Sequence, residues 1–591
     1  MTIENTNSIE TSRRGFVKGA AALAGASLFV GFGTTGRVEA AASADLVPNP
    51  FVKITPEGRV FAIVKHIEMG QGTTTGLTSL VAEELDADWS QMDVAFAPAD
   101  PATYGNKMMG GAQGTGGSTA MPSSFDLYRK AGATARDLMV RAAAETWSVP
   151  ASEVKVENGT VSHASGKSAS FGELVDAASK LTPNAEPKLK SPDQFTKIGK
   201  GDLPRFDSTD KINGKAIFAL DVRVPDMVVA VVKRPPQFGA TLQSFDDTEA
   251  RKVKGVVDVK TIPQGVVVYA KNTWAAIKGR AAIEAKWDTS KAELRSTDQL
   301  IADYRADLDK PGIVARNEGD AAKAMGSAAK TVKADFTFPL LAHAPMETLN
   351  CVIKFDGSSA ELWDGCQFPS LAQPVVAQIL GLKPEQVKIN SVYAGGSFGR
   401  RASPNSDYHA EAAQAVKAIE GKHPVQLVWT REDDIQNGMY RPMFVHRVEA
   451  GIGEDGMPVA YDHKLAGKSI LIGTFFESML VKDGLDQVSV EGASTLPYDI
   501  PNLRVDVRNT SGGPPALWWR SVGHTHTAYS TEIMLDMMAE AAGQDPVAYR
   551  EKLLAKHPRH LGVLKLAAEK ADWGKPLPGG WGRGIAVHES F

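Results

Sequence analysis

The spacing of apolar residues changes period repeatedly along the chain, and each change marks an element. Val60 to Val64 is an unbroken apolar run, which predicts a strand. Leu77, Leu80, Val81 and Leu85 then fall at i, i+3, i+4 and i+8, the spacing of one helix face. Between them lies Met69-Gly70-Gln71-Gly72-Thr73-Thr74-Thr75-Gly76. A second glycine-rich loop, Gly110-Gly111-Ala112-Gln113-Gly114-Thr115-Gly116-Gly117-Ser118-Thr119, precedes an Ala-rich helical stretch at 124–147. A helix is predicted at 371–381, with Pro374 tolerable only in its first turn. A third unit has a strand at 387–393, the loop Ala394-Gly395-Gly396-Ser397-Phe398-Gly399-Arg400-Arg401, and a helix near 406–420 ended by Gly421. A fourth runs from Trp518-Trp519-Arg520-Ser521-Val522-Gly523 to a helix at 531–542 closed by Gly543, and Asp545-Pro546 caps the next helix.

These patterns predict an α+β, multi-domain protein, and 591 residues are enough for two to four domains. The first domain covers 45–182. Residues 183–204 are rich in Pro, Lys and Asp and read as a linker. Short β-like runs at 216–222, 227–232, 255–261 and 265–269, then a helix near 273–285, predict a separate small α+β domain over 205–290. Residues 330–591 form the strand-rich remainder.

The ends read differently. Arg13-Arg14-Gly15-Phe16-Val17-Lys18 is a twin-arginine pair followed by an uncharged Gly/Ala-rich stretch from Ala20 to Phe32. With the small residues around Ala40, this predicts a twin-arginine export signal over 1–42 and a periplasmic mature chain. The stretch is too short to be a membrane span, and no later segment is long and apolar enough for one. Residues 584–591 read as a strand ending inside an apolar run, which suggests a sequence cut short.

Charge and composition remove several classes. A net charge of −4 gives no electrostatic reason to expect nucleic acid or an anionic membrane as partner. Two cysteines, Cys351 and Cys366, cannot hold an iron–sulfur cluster. A hairpin turned at Asp356-Gly357 sets Cys351 opposite residues near 362–364, so its register argues against a disulfide without closing the question. No Gly-Lys-Ser/Thr of a P-loop follows Gly76, and no Gly-x-Ser-x-Gly elbow is present. No His, Cys, Asp or Glu cluster has metal-ligand spacing, and His524-Thr525-His526 reads better as a core or surface pair than as ligands. Taken alone, Gly70-x-Gly72-x-x-x-Gly76 fits two readings equally. One is a dinucleotide loop with Asp93 or Asp100 as its acidic partner, and the other is a ligand-free turn. Several such loops in one chain exceed the needs of one dinucleotide and suit a large cofactor wedged between domains.

As an ordered set, five stretches resemble the molybdenum-binding large subunits of the xanthine dehydrogenase/aldehyde oxidase family, in its isoquinoline 1-oxidoreductase and exported aldehyde dehydrogenase branch. They are Glu68-Met69-Gly70-Gln71-Gly72, Thr115-Gly116-Gly117-Ser118-Thr119, Gly395-Gly396-Ser397-Phe398-Gly399-Arg400-Arg401, Trp429-Thr430-Arg431-Glu432-Asp433-Asp434 and Trp519-Arg520-Ser521-Val522-Gly523-His524. The resemblance spans nearly all of 45–591. It implies an α/β hammerhead domain at 205–290 between large mixed α/β molybdopterin-binding regions, the first of them permuted to the N-terminus. It implies molybdopterin, in the cytosine dinucleotide form, whose own sulfurs hold the molybdenum, so no protein metal ligand is expected. Gly70, Gln71 and Gly72 are implied to hold the pterin or its phosphates, and Thr115, Gly117, Ser118 and Thr119 to donate hydrogen bonds to it. Gln367 falls beside the metal in the family; the other reading of it is a solvated amide at a hairpin end. Gly396, Phe398, Gly399 and Arg400 match the loop behind the metal, and Arg520 matches an arginine whose backbone lies near it.

The sequence departs from the family in two places. The family's general base, a glutamate in a Val-Gly-Glu-type segment, is absent, and its counterpart is expected past Phe591; general-base work needs a carboxylate within hydrogen-bond reach of its proton. Glu347, Glu432 and Glu532 align instead with strand, loop and helix positions. Ala402 replaces a substrate-contacting glutamate of purine-oxidising members. The implied reaction is hydroxylation of an aldehyde or N-heterocyclic aromatic with oxygen from water, electrons leaving through a small 2Fe–2S subunit to a c-type cytochrome. The competing readings are a flavin- or nicotinamide-dependent dehydrogenase built on Gly70-x-Gly72, and a non-catalytic fragment or binding module.

Overall fold

Strand Val60–Val64 pairs in parallel with Met92–Phe96, and helix Thr73–Leu85 makes the crossover between them, as a parallel pair requires. The computed structural model describes residues 45–201 and 203–591; the export signal read over 1–42 lies outside the described residues. Leu77, Leu80, Val81 and Leu85 are all buried, so the predicted face is the packed one. It lies against the long helix Phe125–Trp147. The two backbones touch at Gly132, where a Cβ would stand 2.6 Å from the Val81 carbonyl oxygen.

Residues 183–204 are a docked strap rather than a linker. Buried Glu83 accepts from Thr196 N (3.0 Å), Lys197 N (2.6 Å), Ile198 N (3.0 Å) and Lys190 Nζ (3.0 Å). Burial opposes its charge, but these donors prevail and hold the carboxyl down at about 2. Glu84, also buried, takes Lys190 N and Arg129 Nε. Composition suggested a linker because these polar residues find their partners a hundred positions earlier.

Residues 205–290 carry one small sheet of their own, Thr241–Asp246 paired with Glu284–Asp288, but their other strands join a larger one. Strands Val256–Ile262, Gly265–Ala270 and Val228–Lys233 are one edge of a seven-stranded sheet that continues through Val425–Val428, Asn350–Phe355, Ala360–Asp364 and Val387–Ser391. The join is parallel pairing of Val228–Lys233 with Val425–Val428. The run 216–222 is not a strand: Ala219–Asp221 is a 3-10 turn whose backbone polar groups are taken by side chains, Leu220 N by Glu347 and the Ala219 and Leu220 carbonyls by Gln426. Helix Pro369–Leu380 starts earlier than expected, which leaves Pro374 in its second turn. Both cysteines are free and buried. Val352 pairs with Trp363, and Cys366 lies past the strand end.

A five-stranded sheet runs Ile313–Glu318, Leu503–Asn509, Pro458–Gly467, Phe444–Ile452, Lys330–Phe338. Helix His524–Ala541 covers it with Met534, Leu535 and Met538. The helix begins seven residues before 531, at the end of the tryptophan loop. Residues 584–591 are extended but unpaired as a strand; Val587 N donates to Glu532 at 3.0 Å. No helix among the described residues is long and apolar enough to cross a membrane.

Between this sheet and its helix lies a chain of imidazoles. His463 Nε2 meets His446 Nδ1 at 2.9 Å, and His446 Nε2 meets His526 Nδ1 at 3.0 Å. All three are buried, and Phe444 stacks on His526. Burial keeps them neutral, helped at His526 by the Arg441 charge and at His446 by the repulsion that charging a neighbouring imidazole would bring; His463 is pushed down to about 3. The unfolded chain takes up protons near pH 6.5 while the folded one does not, so stability is complete above pH 6.5 and falls as pH drops from there towards 3. The expected slope is about 1.4 kcal/mol per pH unit for each imidazole that stays neutral. Denaturant unfolding at stepped pH checks it, and His463→Gln should flatten the slope by about one proton.

Candidate functional site

Four loops that the chain scatters over more than 450 residues meet in the fold, and backbone geometry fits each for close approach. Gly70 and Gly72 have φ of 108° and 93°, and a Cβ on either would project into open space. They are exposed or half-buried at the start of helix Thr73–Leu85. Their amides, however, turn inward. Gly70 N and Gly72 N donate to the buried carboxylate of Glu68 at 2.8 and 3.1 Å, so these two groups are not free to hold a pterin or its phosphates. The Gln71 side chain also serves its own loop, donating to Ile67 O and accepting from Met69 N.

The second loop is stitched to the first through Thr115. Its hydroxyl takes Ile67 N at 3.1 Å and faces His66 Nδ1 at 3.2 Å. Gly117 and Ser118 are exposed and both left-handed, at φ of 55° and 54°. Thr119 turns inward, its hydroxyl donating to Gly116 O and accepting from Asn106.

Gln367 is 3% exposed, which excludes the solvated hairpin amide. Its Nε2 donates to Thr115 O at 2.7 Å, its Oε1 accepts from Ser397, and its carbonyl accepts Thr115 N at 2.9 Å. One side chain thus ties the second loop to the third. Ser397 Oγ accepts Gly399 N and Arg401 N, holding the third loop closed. Gly396 is left-handed at φ 100°, and a Cβ on it would stand 3.4 Å from the Pro345 side chain. Gly399 admits no side chain, because a Cβ would stand 2.3 Å from Trp518 O. Phe398 is left-handed despite its Cβ, and its carbonyl accepts Arg520 N at 2.7 Å, joining the fourth loop. Phe398 and Trp519 stack with planes 16° apart. Arg520 is exposed.

Two neighbouring arginines point in opposite directions. Arg400 turns from the loop face to Asp407, which it grips at 3.1 and 2.6 Å, and lies 5.3 Å from the Trp429 ring. Its side chain is therefore a brace beneath the loop. Arg401 is the residue that motif matching passed over. Fully buried, it donates from Nε to Gly396 O (2.9 Å) and from Nη2 to Glu347 Oε2 (2.8 Å), with Nη1 3.4 Å from Asp364. Burial works against its charge, but Glu347 and Asp364 outweigh it and raise its pKa. Glu347 lies in a loop, not a strand, and also accepts Gly395 N and Asn350 Nδ2. Glu432 sits in the first turn of helix Arg431–Gln436. Glu532 is engaged by Arg550 and Tyr498. Neither Glu347 nor Glu532 is free to act as a base. Arg401 stood in the sequence only as the last residue of the third quoted loop, and Glu347 only as a glutamate out of register with the family base.

Spacing also missed a group of potential ligands. Asp364, Cys366 and His409 are buried with ligand atoms within 4.8 Å of one another, His409 arriving from helix Asp407–Ala418. The Asp364 carboxylate is already engaged by Tyr408 (2.6 Å), His409 (2.7 Å) and Arg401, so the group reads as a charge network behind Gln367.

Around the loops stands an aromatic wall. Phe368, next to Gln367, packs with Phe476 and Trp518, and Phe476 lies 5.5 Å from Trp518. Exposed Phe475 and Met479 extend it, and a Cβ on Gly110 would stand 3.3 Å from the Met479 methyl carbon.

The donor set suits a molybdenum–pterin group. The glycine cradle at Gly70, Gly72 and Gly111 opens on free space. His66 Nε2 and Trp519 Nε1 are buried without a hydrogen-bond partner among the described residues. A ligand edged with donors and acceptors, and bringing its own metal ligands, is what such a surface accommodates.

The comparisons with known proteins agree. Molybdopterin cofactor-binding domain families match residues 5–224 and 307–554. The chain is 32% identical to the isoquinoline 1-oxidoreductase subunit beta of Brevundimonas diminuta, over 96% of this chain and 78% of that one. It is 30% identical to a membrane-bound aldehyde dehydrogenase [pyrroloquinoline-quinone] of Gluconacetobacter polyoxogenes, over 91% and 73%. In fold it is similar to the aldehyde oxidoreductase of Desulfovibrio desulfuricans, with a TM-score of 0.50 at 16% identity, covering 68% of this chain and about half (51%) of that one.

Replacing Arg401 by Leu leaves the buried Glu347 carboxylate without its counter-charge and should cost about 3–5 kcal/mol in denaturant unfolding. Gln367→Ala strands the Ser397 hydroxyl and the Thr115 carbonyl and should cost about 1–3 kcal/mol. Similar small losses for both would show that the arginine network does not hold the loops.

Proposed function

The chain belongs to the xanthine dehydrogenase family of molybdopterin-binding oxidoreductases, and we propose that it hydroxylates an aldehyde or an N-heterocyclic aromatic with oxygen from water, passing the electrons to an iron–sulfur partner subunit. The observation that carries this reading is the joining of the loops at 68–72, 114–119, 395–399 and 518–523: Thr115 bonds Ile67, the buried Gln367 amide bonds Thr115 and Ser397, and Arg520 N bonds Phe398 O. When bound, the molybdenum–pterin group supplies two-electron redox chemistry. The open faces of Gly70 and Gly72, with Gly117, Ser118 and Gly396, would hold it. Gln367 locks the second and third loops in one relation, and the Phe398 and Trp519 rings stack where the third and fourth meet. Phe368, Phe476 and Trp518 offer flat apolar faces for a planar substrate.

The proposed partners are a small 2Fe–2S subunit and, beyond it, a c-type cytochrome. Two cysteines, both buried, leave this chain without cluster ligands, and a relative named as a subunit beta supports a second chain. The twin-arginine pattern at 13–18 supports export to the periplasm, and the family branch supports the cytosine dinucleotide form of the pterin.

The test is molybdenum and released pterin per chain, followed by oxidation of aldehydes and N-heterocycles with an artificial electron acceptor. About one of each, with turnover of either class, is expected. Folded full-length protein with neither, or with flavin absorbance instead, removes the proposal. Phe476→Ala should lower kcat/KM for a two-ring N-heterocycle about 3–10-fold more than for a short aliphatic aldehyde; an equal effect on both would show that the wall does not read ring planes.

A further inference from the structure

Helix Thr73–Leu85 begins without the usual devices. Its N-cap, Gly72, has no side chain to accept a bond, and no acidic residue stands in its first turn. The orphan amides and positive end of a helix nonetheless favour an anion there. Glu68, 0% exposed, reaches back over the loop to supply it. Oε1 accepts Gly70 N (2.8 Å) and Gly72 N (3.1 Å); Oε2 accepts Thr74 N (3.1 Å), Thr74 Oγ1 (3.0 Å) and Thr73 Oγ1 (3.4 Å). Arg205, just past the strap, adds Nη2 at 3.2 Å and clasps Gly70 O at 3.0 Å, and Lys211 stands 3.9 Å away. The Glu68 carbonyl accepts Ala394 N at 3.0 Å, so the same residue fixes the first loop to the third.

We infer that Glu68 is a positioning residue: its carboxylate takes the place of a bound anion at the helix start and holds Gly70 and Gly72 with their open faces turned towards the cofactor. The cofactor half of this inference rests on the proposed function; the anion half stands on the hydrogen bonds alone. One consequence follows for the phosphates of a dinucleotide. The inward amides of Gly70 and Gly72 are occupied by the chain's own carboxylate, so the phosphates bind outside this nest.

The test uses the full chain carrying Glu68→Ala, Glu68→Gln or Glu68→Asp, made in cells that synthesise molybdopterin and in cells that cannot. From the first, the Ala and Gln variants should retain several-fold less pterin per chain than wild type, and the Asp variant should recover much of the loss. From the second, inorganic phosphate should raise the melting temperature of the Ala variant in a saturable way and leave wild type unmoved, because only the variant has an emptied anion nest. A merely structural side chain would show no phosphate response. Wild-type pterin in the Ala variant, or a destabilised Ala variant indifferent to phosphate, overturns the inference. If the Ala variant does not fold, the near-isosteric Gln variant decides, and wild-type pterin in it overturns the inference. Wild type without pterin would sink the cofactor reading while the phosphate response still judged Glu68.

Discussion

One buried guanidinium, that of Arg401, holds together parts of the chain that have little else to hold them. Glycine-rich loops bury too little apolar area to define their own positions, so polar contacts must do it. Arg401 binds Gly396 O, Glu347 and Asp364, and its carbonyl accepts Gln367 N. Two carboxylates buried beside one cation leave a negative charge to be matched. His409 matches it: burial opposes its charge, but the neighbouring Cys366 and Asp364 outweigh that and push it up to about 10. Glu347, Asp364, Arg401 and protonated His409 then balance. Such a set is costly to break from one side, which makes it a rigid floor for the loops above.

The first domain uses a second device, a buried carboxylate held by backbone amides, at both ends of one helix. At the start of Thr73–Leu85, Glu68 works with the helix dipole. Near the other end, Glu83 works against it and needs Lys190 as well as three strap amides. The result couples the two ends: Arg205, where the strap finishes, returns to Glu68. The segment that composition presented as a linker is what closes the cradle.

The sequence was legible where information is local. The apolar face of Thr73–Leu85 and the capping of Pro546–Leu553 by Asp545 are short-range signals, and the structure carries both. The glycine loops were legible as loops, but the direction of their groups was not. Gly70 and Gly72 point their amides at Glu68, and Arg400 and Arg401, adjacent in sequence, diverge on the 3-10 turn Arg400–Ala402. Helix His524–Ala541 starts early because its first turn, His524-Thr525-His526-Thr527, shows no apolar period; its burial is against Phe444 and Glu491 rather than along a hydrophobic stripe. Partners such as Glu347 with Arg401 lie 54 positions apart, and no pattern within one element reports them.

Strain shows why the fourth loop belongs to the site. Ser521 and Val522 have φ of 70° and 46°, and Phe398, bonded to Arg520, has 56°. Left-handed backbone costs about 1–3 kcal/mol for residues with a Cβ, most for a β-branched one, and persists only where the surroundings impose it. Here they do: Gly399 admits the Trp518 carbonyl at a distance no other residue would allow, and Arg520 N closes on Phe398 O at 2.7 Å. A fold that needed only a turn between sheet and helix has cheaper ones. This one keeps Ser521 and Val522 strained next to each other and Phe398 strained where Arg520 bonds it, beside a buried indole N–H at Trp519 with no hydrogen-bond partner among the described residues. Those costs fall at one place, where the third and fourth loops join.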